Sequence, residues 1–505
     1  MKHIGIFLFV LVTLLSVACE NKVSHKPSPE LPDSDYEPVQ DEDQTAPDED
    51  TQEGVLKVTA NENNTLSCRL SFKTSEPVKT YVKYYSDNHA GYRITEDKAS
   101  KDHYFFLWGM RENRDYKIEV YYENDELLDR AEFHSGFVPG DIKPVRLVAK
   151  DAENVAPGFV LMAPSARDYN DYRVPPLLLM IDSDGYYVWY FEYHPELEIT
   201  LGDGRYIPET KTIFAGIIKL TSLAEVPFEE GLEIDLEGRV VWKSPELKNY
   251  SYAENGWHHE YKKLDDGSIL FLQAQYQDKL VTDKIVNVDS NYNEIWSWSY
   301  LEEPDLFDPG ECVEYGEWCD WTHTNTVIME KDTGAVYFNS RYLGFYKMDM
   351  DSREILWKFA PGGDFNFVGN DPDPWPEGAH SPRFNEAHDR LLIYDNGFPS
   401  RGYSRVIEYA FDEVNRNFDI SFKFDGSELG RMWFAGGWGS VYPLENGNIL
   451  VTKGDPNDLE DNSSIFEINR EGRVVWEIYM EELESGKMEV YSAEKFVPDL
   501  EPLND

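Results

Sequence analysis

One phrase recurs along this chain and narrows its fold more than any other feature. Ile181-Asp-Ser-Asp-Gly-Tyr-Tyr-Val-Trp189, Ile234-Asp-Leu-Glu-Gly-Arg-Val-Val-Trp242, Val288-Asp-Ser-Asn-Tyr-Asn-Glu-Ile-Trp296, Met348-Asp-Met-Asp-Ser-Arg-Glu-Ile-Leu-Trp357 and Ile468-Asn-Arg-Glu-Gly-Arg-Val-Val-Trp476 are versions of one hairpin. In each, an apolar strand end enters an Asp/Gly turn and a β-branched strand leaves it to end on Trp. Such a turn needs a residue at positive φ or a bend capped by a short side chain. A sixth, degenerate copy runs through Val406–Phe411 to Ile420–Phe424. The first four Trp residues are 53, 54 and 61 positions apart, which suits a four-stranded blade with its loops. The chain is therefore expected to be all-β, with a six-bladed β-propeller over 141–505.

Three histidines sit near the start of consecutive repeats: His259-Glu-Tyr-Lys-Lys-Leu264, His323-Thr-Asn-Thr-Val-Ile328 and His380-Ser-Pro-Arg-Phe-Asn385. Each opens a strand-like run that turns and returns as Ser268–Leu272, Ala335–Asn339 or Leu391–Tyr394. In a propeller the inner strands converge on one channel, so the three imidazoles are expected to meet. His259, rather than its neighbour His258, keeps the five-residue spacing to an apolar residue that His323 keeps to Ile328. Strand alternation places Asn325 on the face of His323, and Arg341 ends the strand that returns from it. His388 is the alternative to His380 and falls in a turn.

Residues 55–140 read as a small β-sandwich of the fibronectin III/Ig-like kind preceding the propeller. Val55–Val58, Ser67–Phe72, Lys79–Tyr84, His103–Leu107 and Tyr116–Tyr121 alternate apolar and polar side chains between turns. Met110 followed by Tyr116 has the spacing of a tyrosine corner. The histidines of this segment, His89, His103 and His134, read as packing or surface residues.

The N-terminus carries a different message. Lys2, an apolar run from Ile4 to Val17 and then Ala18-Cys19 form the pattern of a secretory signal peptide over 1–19, with Cys19 as the acylated residue of a lipoprotein. The run is short for a transmembrane span. Residues 20–54 are rich in Pro, Asp and Glu and are expected to be a disordered tether. Together these place the folded part outside the cytoplasm on a lipid anchor, on the periplasmic or outer face of a bacterial envelope. In that setting Cys312 and Cys319 are close enough in sequence to pair as a disulfide before His323. The formal net charge of −48 excludes nucleic acid as a partner and argues against docking on anionic lipid through basic patches.

The segment Asp320-Trp-Thr-His-Thr-Asn-Thr326, followed by Asn339-Ser-Arg341, resembles the histidine-x-asparagine motif with downstream serine-arginine of the bacterial arylsulfate sulfotransferases that use no nucleotide donor. The resemblance spans a sandwich, a six-bladed propeller and a C-terminal Val490-Tyr-Ser-Ala493 segment similar to a strand closing the last blade. It implies that His323, Asn325 and Arg341 bind and polarise the sulfuryl group, that His259 is the first active-site histidine, and that His380 carries the group as sulfohistidine. His258 and Lys453 join the expected substrate contacts, with Arg341, Arg383 and Lys453 as a local basic funnel for an anionic ester. The expected partners are an aryl sulfate donor and a phenolic acceptor, with no cofactor and no metal.

Elementary chemistry agrees with that expectation. Sulfuryl transfer passes through a loose transition state whose charge lies on non-bridging oxygens, so positioned cations and donors supply most of the catalysis. A neutral imidazole is a competent nucleophile near pH 7. Three histidines also suit a zinc or copper site, and a propeller also serves as a non-catalytic binding surface. Quinoprotein propellers share the Asp…Trp hairpin, but the signature of a large cofactor pocket is missing.

Overall fold

The structure is a computed structural model. It describes residues 54–139, 142, 145–166, 177–193, 199–219, 228–245, 256–277, 279–303, 313–315, 318–427, 430–454, 463–481 and 488–503. Cys19, the leader and nearly all of the acidic tract lie outside these residues, as does Cys312. Cys68 is a free, buried thiol and Cys319 is disulfide-bonded.

The repeated phrase folds as one device. In each copy the leading Asp or Asn accepts backbone N–H groups across its own turn: Asp182 from Tyr186, Asp235 from Arg239, Asp289 from Asn293 and Asn469 from Arg473. The fourth turn residue is left-handed, as Gly185, Gly238 and Gly472, and as Tyr292 where no glycine is present. The register then shifts by one residue, a bulge that re-aims the outgoing strand. Its Trp is aimed at the next blade. Trp189 Nε1 donates to Leu236 O at 2.7 Å, Trp296 to Met350 O at 2.9 Å and Trp476 to Ser183 O at 2.8 Å. Each acceptor directly follows the leading Asp of the neighbouring turn. Trp357 precedes the degenerate copy, and its buried Nε1 meets no such acceptor among the described residues. The Trp thus joins blades as well as filling a core, and its truncation to Ala costs about 3–5 kcal/mol.

Six blades result. Blade 1 contains Phe159–Ala166, Leu177–Ile181 and Tyr187–Glu192, and its inner strand is the C-terminal Met488–Phe496. Blades 2, 3 and 4 are consecutive four-stranded units with inner strands Ile199–Ile207, Trp257–Lys263 and Thr324–Glu330. Blade 5 begins at His380–Phe384 and blade 6 at Ser440–Pro443, with Arg146–Lys150 added at the outer edge of blade 6. The inner strands of blades 3, 4, 5, 6, 1 and 2 contact one another in that order, and the inner strand of blade 3 meets the second and third strands of blade 2. The segment containing Val490–Ala493 therefore closes the ring as the inner strand of the first blade, not as part of the last.

The N-terminal strands form two sheets. One is made of Lys57–Ala60, Cys68–Val78 and Ser100–Leu107; the other is built around Thr80–Ser86 and also takes in the C-terminal pair Glu501–Pro502. Tyr116 Oη accepts the Arg111 N–H at 2.8 Å, the bond of a tyrosine corner. Leu70, Phe105, Val82 and Ile118 share one apolar core with Leu161, Trp189 and Leu201 of blades 1 and 2. The core of these sheets is continuous with that of the propeller.

Candidate active site

The histidines are brought together by irregularities in the inner strands. Register shifts fall between His258 and Tyr261, between Thr324 and Thr326, between His380 and Arg383, and between Val490 and Ala493. His259 and His323 take left-handed backbone, with φ of 56° and 44°. In blade 5 that conformation belongs to Ser381 (φ 53°), so His380 occupies the position that His258 has in blade 3. The repeat phase expected from sequence is therefore one residue out for His380. The rings still converge: His259 lies 4.9 Å from His323 and 6.5 Å from His380, centroid to centroid. Tyr491, on the closing strand, packs 5.8 Å from His259 and 6.2 Å from His380.

Each imidazole is held by Nδ1, and the three holders differ. His380 Nδ1 meets Asn396 Oδ1 at 2.7 Å and Gly378 O at 3.1 Å. The Asn396 amide cannot be reversed, because its Nδ2 donates to Ala435 O at 2.6 Å and Trp438 O at 3.1 Å. Two carbonyl acceptors thus fix the hydrogen of His380 on Nδ1 and leave a lone pair on Nε2. That Nε2 is buried with no hydrogen-bond partner among the described residues. Neighbouring Asp395 is buried and accepts from Arg401, Arg405 and the Glu377 N–H, which fixes the strand end that carries Asn396. His323 Nδ1 lies 2.5 Å from Asp320 Oδ2, which also accepts Tyr342 Oη at 3.1 Å. His259 Nδ1 lies 2.8 Å from His258 Nδ1.

Burial, then the positive charge of Arg341 and the proximity of His323, push the His380 imidazole down to about 3. Burial and the neighbouring imidazoles hold His259 well below its ordinary value as well. Both rings are neutral at physiological pH. An unfolded chain takes up protons on them below the ordinary 6.5 while the folded protein does not, so stability falls as pH drops from 6.5 towards 3. The urea midpoint is therefore expected to be lower at pH 5 than at pH 7, and His380→Asn should reduce that difference.

Arg341 donates from Nη2 to Gly436 O at 2.5 Å, its guanidinium lies 5.1 Å from the Phe398 ring, and its Nε is buried without a partner among the described residues. Asn325 Nδ2 donates to Ala379 O at 2.7 Å and its Oδ1 accepts from Asn339 at 2.9 Å. Its amide therefore ties the His323 strand to the residue before His380. Lys453 is buried on the second strand of blade 6. Arg383 donates to Tyr442 Oη at 2.8 Å. His388 bridges blades, with Glu330 2.9 Å from Nε2 and Tyr337 Oη 3.2 Å from Nδ1. Among the described residues no group of three His, Cys, Asp or Glu is placed to hold a metal ion.

Sequence reasoning missed Asn396, Asp320 and Tyr491 as partners of the histidines, and also Asp283, whose Oδ1 lies 3.1 Å from His258 Nε2. Asp320 stands in the histidine-x-asparagine segment, three residues before His323, so it was the one within reach.

A family model described as Arylsulfotransferase (ASST) matches residues 145–492, a span that includes strands of all six blades. No curated protein matches the chain. Two solved structures are similar at 10% identity: a eukaryotic initiation factor, over 85% of this chain and 100% of the other with a TM-score of 0.32, and a protein of unknown function from Bacteroides thetaiotaomicron VPI-5482, over 88% and 98% with a TM-score of 0.31. At these TM-scores neither bears on the fold or the activity.

Proposed function

Because the chain belongs to the arylsulfotransferase family, we propose that it moves a sulfuryl group from an aryl sulfate ester to a phenol in two steps, with His380 Nε2 as the carrier. The observation that supports this reading most is the fixed tautomer of His380. A neutral imidazole whose lone pair is buried and unpartnered beside a guanidinium is set up to attack an electrophile that arrives with negative charge. Nε2 forms the N–S bond as the S–O bond to the phenoxide breaks; an incoming phenol then reverses the sequence and frees Nε2.

Arg341 has the planar fork that binds two sulfuryl oxygens at once. His323, whose ring Asp320 fixes through Nδ1, packs against His259 and lines the same space. His259 stands opposite and serves the phenolic oxygen as acid and base. Asn325 is read as a brace for the His380 strand. The same proposal includes export, acylation at Cys19, tethering of the folded part to the envelope, and pairing of Cys312 with Cys319.

The test is transfer of sulfate from 4-nitrophenyl sulfate to phenol with no nucleotide added and a chelator present. The expected result is release of nitrophenol that depends on phenol. Activity lost to the chelator and restored by zinc would contradict the reading.

Asn396 offers a finer check. Asn396→Leu should slow transfer by about 10- to 10²-fold, the usual loss when the partner orienting a working imidazole is removed. Asn396→Asp places a carboxylate on Nδ1 and favours the protonated ring. Its rate should therefore fall on acidification at a higher pH than in the unsubstituted protein. A pH profile unchanged by Asn396→Asp would remove Asn396 from this role.

A further inference from the structure

We infer that His258 and Asp283 form a proton relay behind His259, so that His259 exchanges a proton with the phenolic oxygen without itself becoming charged. This inference rests on the transfer chemistry proposed above. His258 Nδ1 is 2.8 Å from His259 Nδ1, and its Nε2 lies 3.1 Å from Asp283 Oδ1, at ion-pair distance though off the ideal hydrogen-bond angle. Asp283 is buried and is fixed by Thr322 Oγ1 and the Thr324 N–H, each donating at 2.6 Å to Oδ2. Burial alone would raise its carboxyl, but His258 and these donors hold it below the ordinary carboxylate value.

An ionised carboxylate at that distance requires hydrogen on His258 Nε2, since a lone pair there would face another. The single hydrogen between the two Nδ1 atoms then decides the state of His259. When it lies on His259, His259 Nε2 is a lone pair able to accept a proton. When it lies on His258, His259 carries its hydrogen on Nε2, and the positive charge sits on His258 against Asp283.

Electrostatics explains the need for such an arrangement. His259 faces His258, His323, His380, Arg341 and Tyr491, and burial with these neighbours disfavours a cation there. A simple acid at this position would have to become one. With the relay, the departing phenoxide takes the Nε2 hydrogen of His259, and the His258 Nδ1 hydrogen crosses to His259 Nδ1. His258 is left neutral. The incoming phenol gives its proton to His259 Nε2, the Nδ1 hydrogen returns, and the His258 cation beside Asp283 is restored. Protons balance over the two steps. His258, expected from sequence to touch substrate, is here a positioning residue, as is Asp283.

General acid assistance matters most for a poor leaving group, which gives a readout that a merely structural role would not produce. His258→Phe and Asp283→Asn should each slow transfer from phenyl sulfate by about 10²- to 10³-fold, and transfer from 4-nitrophenyl sulfate by less than about 10-fold. Equal losses with both donors, or no loss with either, would overturn the relay. Two variants guard against one that fails to fold, because His258→Phe leaves the Thr322 and Thr324 bonds to Asp283 in place. The comparison uses kcat/KM for the donor, which reports the departure of the phenoxide and not the acceptor step that both donors share, and it needs no covalent intermediate. Absence of a sulfuryl adduct in the unsubstituted protein would therefore count against sulfohistidine and leave the relay to be decided by leaving-group selectivity.

Discussion

His380→Asn is expected to lose the phenol burst entirely and to lower turnover by roughly 10⁴-fold or more, the scale on which removal of a covalent nucleophile acts. The substitution suits the site because Asn is smaller than His and polar, so it introduces no overpacking where His380 is buried against Gly378 and Asn396. A variant that still folds and still binds donor, but releases no stoichiometric phenol when acceptor is omitted, has lost the step and not the site. His259→Asn should behave differently. It slows the proton transfers but leaves Nε2 of His380 in place, so 4-nitrophenyl sulfate should still give a burst, at a lower rate. Burst amplitude under rapid mixing separates the two, and an equal burst from His380→Asn and unsubstituted protein would remove His380 from the chemistry.

Arg341→Lys has the second-largest expected effect. The arginine is anchored by one nitrogen on Gly436 O and stands against Phe398, with its Nε directed at no protein acceptor among the described residues. A lysine keeps the charge but offers a single point of contact in place of a planar fork. The developing charge on the sulfuryl oxygens is greatest in the transition state, so the loss should fall mainly on kcat, by about 10²- to 10³-fold, with a smaller change in KM. Charge attraction for the anionic ester is largely retained, which is why KM should move less. A variant with unchanged kcat and raised KM would mean that Arg341 only gathers the substrate.

The propeller was legible because its hairpin repeats as a phrase in which every part has a physical role. Asp caps the turn, the fourth residue takes left-handed backbone, and Trp reaches the next blade. The order of closure was not legible. Val490–Ala493 lies far from Phe159–Ala166 in sequence, and only strand pairing reveals that they share a blade. In the site, histidines far apart in sequence could be grouped from the repeat. Their roles could not be ranked, because the roles depend on what holds each Nδ1. Asn396 reaches His380 from the end of the neighbouring strand, Asp320 reaches His323 from three residues away, and Asp283 reaches His258 from the third strand of blade 3. Strand alternation assigned Asn325 to the face of His323, but the bulge between Thr324 and Thr326 breaks that alternation and turns the amide towards Ala379.

The most direct test of the two-step mechanism is the mass and position of the covalent adduct. Protein incubated with 4-nitrophenyl sulfate and no acceptor, quenched rapidly at alkaline pH and digested, should carry one sulfuryl group on the peptide containing His380, and added phenol should remove it before the quench. An adduct on His323 or His259 would contradict the assignment of roles, and transfer to phenol without any adduct would contradict the two-step mechanism.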